Sequence, residues 1–283
     1  MNRQQRIDAA KQTVAICDAG FYRARDSRRI DLADQIQRAV AGTVLYSPEN
    51  MQSLTLASVR RSTKFEVRNE TTFSALRRLA ARGKESIGCL NFASARNPGG
   101  GFLSGAQAQE ESLARASALY PCLLARPEYY ERNRVNRSAL YLDLILFSPG
   151  VPFFRDDAGN LLDEPITASV MTAPAPNAGA VAANEPEKRD WVEPTLRRRA
   201  DMVLRIAAVH GIKYLVLGAW GCGVFRNAPS FVAGVFAGLL TAHGSFAGSF
   251  EEVLFAVYDR SEGQDTYCAF ADAFANIITK PVT

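Results

Sequence analysis

From about residue 63 onward, short apolar runs alternate with amphipathic stretches, and this alternation constrains the fold more than any other feature of the chain. KFEV, SIGCLNFA, ALYLDLILF, ITASVMTA, KYLVL and EEVLFAVY read as strands. Between them, FSALRRLAAR, QEESLARASALY, VEPTLRRRADMVLRIAAVHG and PSFVAGVFAGLLTAHG repeat their apolar residues every three or four positions and read as helices, as do residues 265–278. Strands that are apolar throughout need cover on both faces. The pattern therefore predicts an α/β fold with its sheet sandwiched between helices. FRDDAGNLL reads as a hairpin or an excursion turning at Gly159. Residues 2–18 and 30–41 read as two amphipathic helices separated by a stop at Gly20, and residues 42–62 as irregular. Residues 1–62 are accordingly expected to form an N-terminal helical extension, and residues 63–283 the main domain. With 283 residues, 47% of them apolar, the chain can build one large core.

Two glycine-rich loops interrupt this pattern. NPGGGFLSG, residues 97–105, follows the SIGCLNFA strand, and GAWGCGVFRN, residues 218–227, follows KYLVL. Both lead into helices. Ligands of open α/β sheets bind beyond the carboxyl ends of the strands. Glycines there let backbone amides approach an anion closely, and the next helix adds its positive end. Two such loops suit a diphosphate, although the second loop alone reads equally well as a tight turn. Neither loop matches the lysine-bearing phosphate loop or the dinucleotide GxGxxG, because Ser104 and Arg226 stand at the third glycine positions. GxSxG and HExxH are also missing from the sequence.

Directly behind the first loop comes QEE, residues 109–111. Paired glutamates in a first helical turn often only complement the helix dipole. Here they follow four glycines. Adjacent helical residues point about 100° apart, so Glu110 and Glu111 have to do different jobs. A helix start depresses a carboxyl pKa, whereas a general acid needs it raised. The neighbouring glutamate, a bound diphosphate and exclusion of water are expected to supply that rise in the substrate complex.

GGG, a spacer of six to eight residues and QEE resembles the signature of the poly(ADP-ribose) glycohydrolases, whose catalytic domain has a macrodomain fold. Here the spacer is seven residues, Phe102 to Ala108. ASARNPGGG, SLARASALYPCL, LILFSPGVPFFRD, the APAPN loop and GAWGCGVFRN resemble the shorter, bacterial-type members over residues 65 to 275. The resemblance implies a macrodomain-like mixed sheet and hydrolysis of the ribose–ribose bond. Glu111 would be the general acid and then the base for water, and Glu110 would hold a neighbouring ribose hydroxyl. Asn97 would contact the distal ribose, with Gly99, Gly100, Gly101 and Gln109 around the ribose and phosphate. Gly221, Cys222, Gly223, Val224 and Phe225 would form the diphosphate loop, with Phe225 also packing on the ribose. Tyr258 is either an adenine contact or a strand-end core aromatic. The implied partners are poly(ADP-ribose) and ADP-ribosylated proteins, with ADP-ribose as product. No cofactor or metal is implied. Action from the chain end is expected. A non-catalytic ADP-ribose reader and a hydrolase of mono-ADP-ribosylated substrates are the alternatives.

Charge and cysteine content narrow the partners. The formal net charge is only +4, with 27 Arg against 6 Lys and no dense basic stripe, so DNA binding is not expected. No apolar run is long enough to span a bilayer, and the polar start MNRQQRIDAAKQ is not a signal peptide. Cys17, Cys89, Cys122, Cys222 and Cys268 are scattered, which suits reduced thiols in a cytoplasmic protein without structural zinc. His210 and His243 both precede glycine and read as helix-end residues.

Overall fold

Asn2 opens the first helix. Its Oδ1 accepts the Gln5 amide at 2.9 Å, and the Gln5 side chain accepts the Asn2 amide at 2.7 Å. This reciprocal cap starts α1 (Arg3–Ala19), which Gly20 ends. The computed structural model describes residues 1–56, 61–241 and 243–278. A small hairpin follows, β1 (Phe21–Arg23) and β2 (Arg29–Asp31), with the Arg29 guanidinium 3.7 Å from the centre of the Phe21 ring. That pairing delays the next helix to α2 (Ala33–Ala41), three residues later than the periodicity predicts.

The expected irregular stretch contains β3 (Val44–Tyr46) and α3 (Pro48–Met51), while residues 57–60 lie outside the described residues. Then come β4 (Lys64–Arg68), α4 (Thr72–Ala81) capped by Thr71, and β5 (Ile87–Phe92). The glycine loop and a turn of 3₁₀ helix lead into α5 (Gln109–Ala116), α6 (Leu119–Leu124) and α7 (Pro127–Val135). The long hairpin β6 (Ile145–Arg155) and β7 (Leu161–Ala173) precedes α8 (Ala178–Asn184) and α9 (Val192–Val209). The chain continues through β8 (Tyr214–Leu217), α10 (Pro229–Leu240), β9 (Glu252–Ala256) and α11 (Asp265–Ile278).

Seven strands form one mixed sheet in the order β3-β6-β7-β5-β8-β9-β4. The run from β7 to β4 is parallel, and β6 and β3 are added antiparallel at one side. The carboxyl ends of β5, β7, β8 and β9 therefore share one edge, where both glycine loops emerge. Each face has its own core. One packs against α9, α10 and α11 around Phe255, whose ring lies 5.8, 5.6 and 4.5 Å from those of Phe236, Phe270 and Phe274. The other packs against α2, α4, α5 and α6 through Leu76, Leu113 and Leu119. The N-terminal segment belongs to this packing, since β3 pairs Leu45 with Leu146 at the sheet edge.

Three local readings need correction. QEESLARASALY stops being helical at Ser117, not at Pro121. Ser117 is extended, its Oγ donates to the Leu113 carbonyl, and the Ala118 amide donates to Pro152 in β6. Pro121 sits inside the first turn of α6, where it has no amide bond to lose. ALYLDLILF becomes strand only at Ile145, because Arg199 and Arg198 hold Asp143 and the carbonyls before it. α10 ends at Leu240 instead of running on to Gly244; Ala242 lies outside the described residues.

Candidate functional site

The first glycine loop folds back onto the start of α5. Gly100 has φ +59°, a left-handed conformation that disfavours any side chain. A Cβ there would lie 2.3 Å from Glu111 Oε1 and 3.2 Å from Glu110 Oε2. The loop backbone thus passes directly over both carboxylates, and the Gly101 amide donates to Glu111 Oε1 at 3.0 Å. Glu111 Oε2 is enclosed and has no protein partner.

Glu110 points inward and is 3% exposed. The Ser94 amide donates to its Oε2 at 2.6 Å, and Asn91 Nδ2 donates to its Oε1 at 3.3 Å and to Thr172 Oγ1 at 3.2 Å. Burial pushes the Glu110 carboxyl up to about 8; its hydrogen bonds with Ser94 and Asn91 oppose the shift, and the Glu111 charge adds to it. Glu110 is therefore mostly a neutral acid at pH 7. Above about pH 4.3 the unfolded chain gives up this proton, while the folded chain keeps it to about pH 8. Folding takes up a proton in that window, so the Glu110 contribution to stability is full at low pH and falls as pH rises towards 8. Glu110→Gln, which is neutral throughout, is expected to flatten this fall, as measured by melting temperatures at pH 5 and pH 8. An unchanged pH slope would mean that Glu110 is already ionised in the folded chain.

Gln109 is the third member of QEE. Its Oε1 accepts the Phe92 amide at 2.9 Å, and its Nε2 donates to the Leu90 carbonyl at 2.7 Å and to Thr72 Oγ1 at 3.1 Å. These bonds continue the end of β5 and clamp α5 to it. The side-chain amide is thus hydrogen-bonded within the protein, while Gln109 also stands in the wall of the cleft. Asn97 is exposed, and no described residue hydrogen-bonds its side-chain amide.

The second loop offers donors. Among the described residues, the amides of Gly221, Gly223, Val224 and Phe225 have no acceptor in the protein. Such successive free amides make an anion cradle. Asn227 holds the loop closed: its Nδ2 donates to Pro176 O at 2.9 Å and to Gly221 O at 3.0 Å, and its amide also donates to Gly221 O. Buried Trp220 anchors the loop from below through Nε1 on Ala173 O at 3.1 Å. Val224 is 85% exposed, and Phe225 is half-buried with its ring centre 5.9 Å from that of Tyr141. Tyr141 is placed in turn by Arg199, a fully buried side chain that donates to the carbonyls of Leu140, Tyr141 and Pro174. Burial pushes the thiol of half-buried Cys222 up to about 12, so it stays a neutral thiol.

A cleft of ≈ 670 Å³ runs along this edge, with Phe92, Gln109, Cys222, Gly223 and Tyr258 in its wall. Its size suits a nucleotide. Tyr258 is 54% exposed with the Arg260 guanidinium 5.0 Å from its ring centre, so it is a cleft residue and not a core aromatic. Asn97, the three glycines and both glutamates lie outside this wall. They border it through Gln109, the residue before Glu110. Asn91, Ser94, Tyr141, Thr172, Arg199 and Asn227 were not readable as site residues. The one signal for Arg199 was a cation on the apolar side of α9. Among the described residues, no three His, Cys, Asp or Glu side chains gather as a metal site, and no helix is long and apolar enough to cross a membrane.

A mixed seven-stranded sheet between helices, with two glycine loops and a carboxylate pair at its carboxyl edge, defines a macrodomain-like α/β protein built to hold an anionic sugar nucleotide. Residues 10–156 match the family described as microbial-type PARG, catalytic domain. The chain belongs to this family of poly(ADP-ribose) glycohydrolases. It is similar to the crystal structure of poly(ADP-ribose) glycohydrolase from Thermomonospora curvata, with 48% identity, a TM-score of 0.91, and 96% of this chain and 100% of that one covered. The same protein bound to the inhibitor ADP-HPD gives a TM-score of 0.90 at the same identity and coverage. The Deinococcus radiodurans enzyme in complex with ADP-ribose is 48% identical, with a TM-score of 0.82 over 88% of this chain and 100% of that one. No curated protein matches the chain.

Proposed function

We propose that this chain is a poly(ADP-ribose) glycohydrolase that cuts ribose–ribose bonds with Glu111 as general acid and then base. The observation that carries the assignment is the state of the Glu111 carboxylate. One oxygen is held by the Gly101 amide, and the other has no protein partner. Family membership and relatives solved with ADP-ribose and with ADP-HPD support the substrate class. Glu111 protonates the leaving 2′-oxygen while the ribose takes on oxocarbenium character, and the resulting carboxylate then activates water. Neutral Glu110 holds the loop at Ser94 and Asn91 and supports the adjoining ribose hydroxyl. Asn97 and Gly99 to Gly101 line the ribose. The free amides from Gly221 to Phe225 take the diphosphate, the Phe225 ring backs the ribose, and Tyr258 with Phe92 flanks the adenine.

The enzyme works from the end of the chain and releases ADP-ribose, a reading supported by the packing of α1 against the glycine loop. Its partners are poly(ADP-ribose) and the ADP-ribosylated proteins that carry it. Its five free cysteines support a reducing, cytoplasmic setting. Digesting size-fractionated poly(ADP-ribose) and resolving the products over time tests the reading. ADP-ribose is expected as the first and main product, whereas long free oligomers early in the time course would overturn end-directed cleavage. Protein carrying a single ADP-ribose is expected to be released poorly in the same assay. Preferential cleavage of that substrate would overturn the polymer assignment.

A further inference from the structure

The segment between the three glycines and QEE has no regular ladder of its own beyond one turn of 3₁₀ helix, Phe102–Ser104. Yet three consecutive carbonyls in it are each taken by an arginine. Arg3 Nε donates to Ser104 O at 3.2 Å, Arg6 Nε to Gly105 O at 2.8 Å, and Arg115 NH1 to Ala106 O at 2.8 Å. Arg115 NH2 reaches the next residue, Gln107, through its Oε1. None of the three arginines forms an ion pair among the described residues. Arg115 is 2% exposed; its guanidinium is held by the Ala106 carbonyl and the side chains of Gln107 and Ser112, and the Glu111 charge also acts on it. Burying an arginine without a carboxylate is costly.

Two further contacts tie this spacer to α1. Gly105 has φ +77°, and a Cβ there would lie 2.8 Å from Arg3 O and 2.9 Å from Ile7 Cγ1, so the helix backbone rests on the loop. Deeper along α1, Thr13 Oγ1 donates to Arg115 O at 2.6 Å, and Ala10 packs with Phe102 and Ala114 in a dry seam. The spacer is thus gripped from outside by α1 and from inside by Arg115, which stands one helical turn beyond Glu111. Its glycine end carries the Gly101 amide that holds Glu111.

We infer that α1 is a brace for the catalytic glycine loop, with Arg3, Arg6 and Arg115 as positioning residues that set the approach of Glu111 to the reacting ribose. None of the three touches the reacting atoms. Loosening the brace lets the Gly100–Gly101 backbone and the Glu111 carboxylate shift together. A displacement of about 1 Å at such a centre lowers turnover by up to about a hundredfold. Arg6 and Arg115 also stand in the cleft wall, but the proposed diphosphate contacts are the free amides of the second loop, so binding of ADP-ribose should largely survive. The inference rests on the proposed role of Glu111.

The test compares wild type with the half-buried variant Arg6→Met, the double variant Arg3→Met/Arg6→Met, and Arg6→Lys, all in the full chain. It measures kcat on poly(ADP-ribose), calorimetric affinity for ADP-ribose, and melting temperature. The double variant is expected to lose about tenfold to a hundredfold in kcat while ADP-ribose affinity stays within about threefold. Arg6→Lys, which can still donate to Gly105 O, is expected to recover part of the loss. Unchanged kcat in the double variant would overturn the brace, as would loss of kcat and affinity in parallel. Glu111→Gln in the same assays separates the two readings. If it is inactive while the double variant is fully active, the brace alone fails. If it is fully active, the acid assignment and the brace fail together.

Discussion

Glu111→Gln is expected to reduce turnover of poly(ADP-ribose) by about a thousandfold or more while leaving ADP-ribose affinity within about threefold of wild type. General acid catalysis contributes about a hundredfold to ten-thousandfold, and here one group serves as both acid and base. Glutamine keeps the carbonyl oxygen that accepts the Gly101 amide, so the glycine loop keeps its anchor. What disappears is the carboxyl group's ability to give and take a proton at the oxygen that has no protein partner. Single-turnover release of ADP-ribose and calorimetry with ADP-ribose measure the two halves of the expectation. Turnover within tenfold of wild type would remove Glu111 from the chemistry. Loss of binding in step with turnover would make it a binding residue instead.

Gly100→Ala is expected to be nearly as severe, by a different route. The new methyl would stand 2.3 Å from Glu111 Oε1, far inside contact distance, and the backbone would have to hold φ +59° with a side chain. The left-handed conformation alone costs about 1–2 kcal/mol for a non-glycine residue. The chain can relieve the clash only by swinging the Glu111 carboxylate away or by opening the loop, and both misplace the acid. Turnover is expected to fall about a hundredfold, and the melting temperature by several degrees, at about 2–4 °C per kcal/mol for a chain approaching this size. Gly234→Ala is the control, since a methyl there meets nothing within 4 Å. It should leave activity unchanged and slightly favour α10. If both alanine variants kept full activity, the loop would not need to approach the carboxylates so closely.

A carboxyl at a helix start can still have its proton affinity raised by burial. In the folded chain it is Glu110 that burial pushes up to about 8, with the Glu111 charge adding to the shift. The two residues stand about 100° apart on the helix, so one faces the core and the other faces the loop.

Much of the fold was legible because it is encoded locally. The apolar runs, the Gly20 stop and the bounds of α11 follow from residues within one or two turns of each other. The readings that failed depended on distant partners. Arg29–Asp31 became strand because Phe21–Arg23 was there to pair with it, and residues 139–144 left the strand because α9 brings Arg198 and Arg199 to Asp143. β3 is too short to signal itself, and only β6 makes it a strand.

The same division holds at the site. By itself, the sequence determined the two glycine loops, their place after strands, the carboxylate pair and its spacing, because each is a run of neighbouring residues. Only the tertiary structure decided which glutamate is buried, that Gln109 clamps β5, and that α1 grips the catalytic loop. Those outcomes depend on Asn91, Ser94, Thr172, Arg6 and Arg115 arriving from separate elements, and burial and hydrogen bonding exist only once those elements have packed.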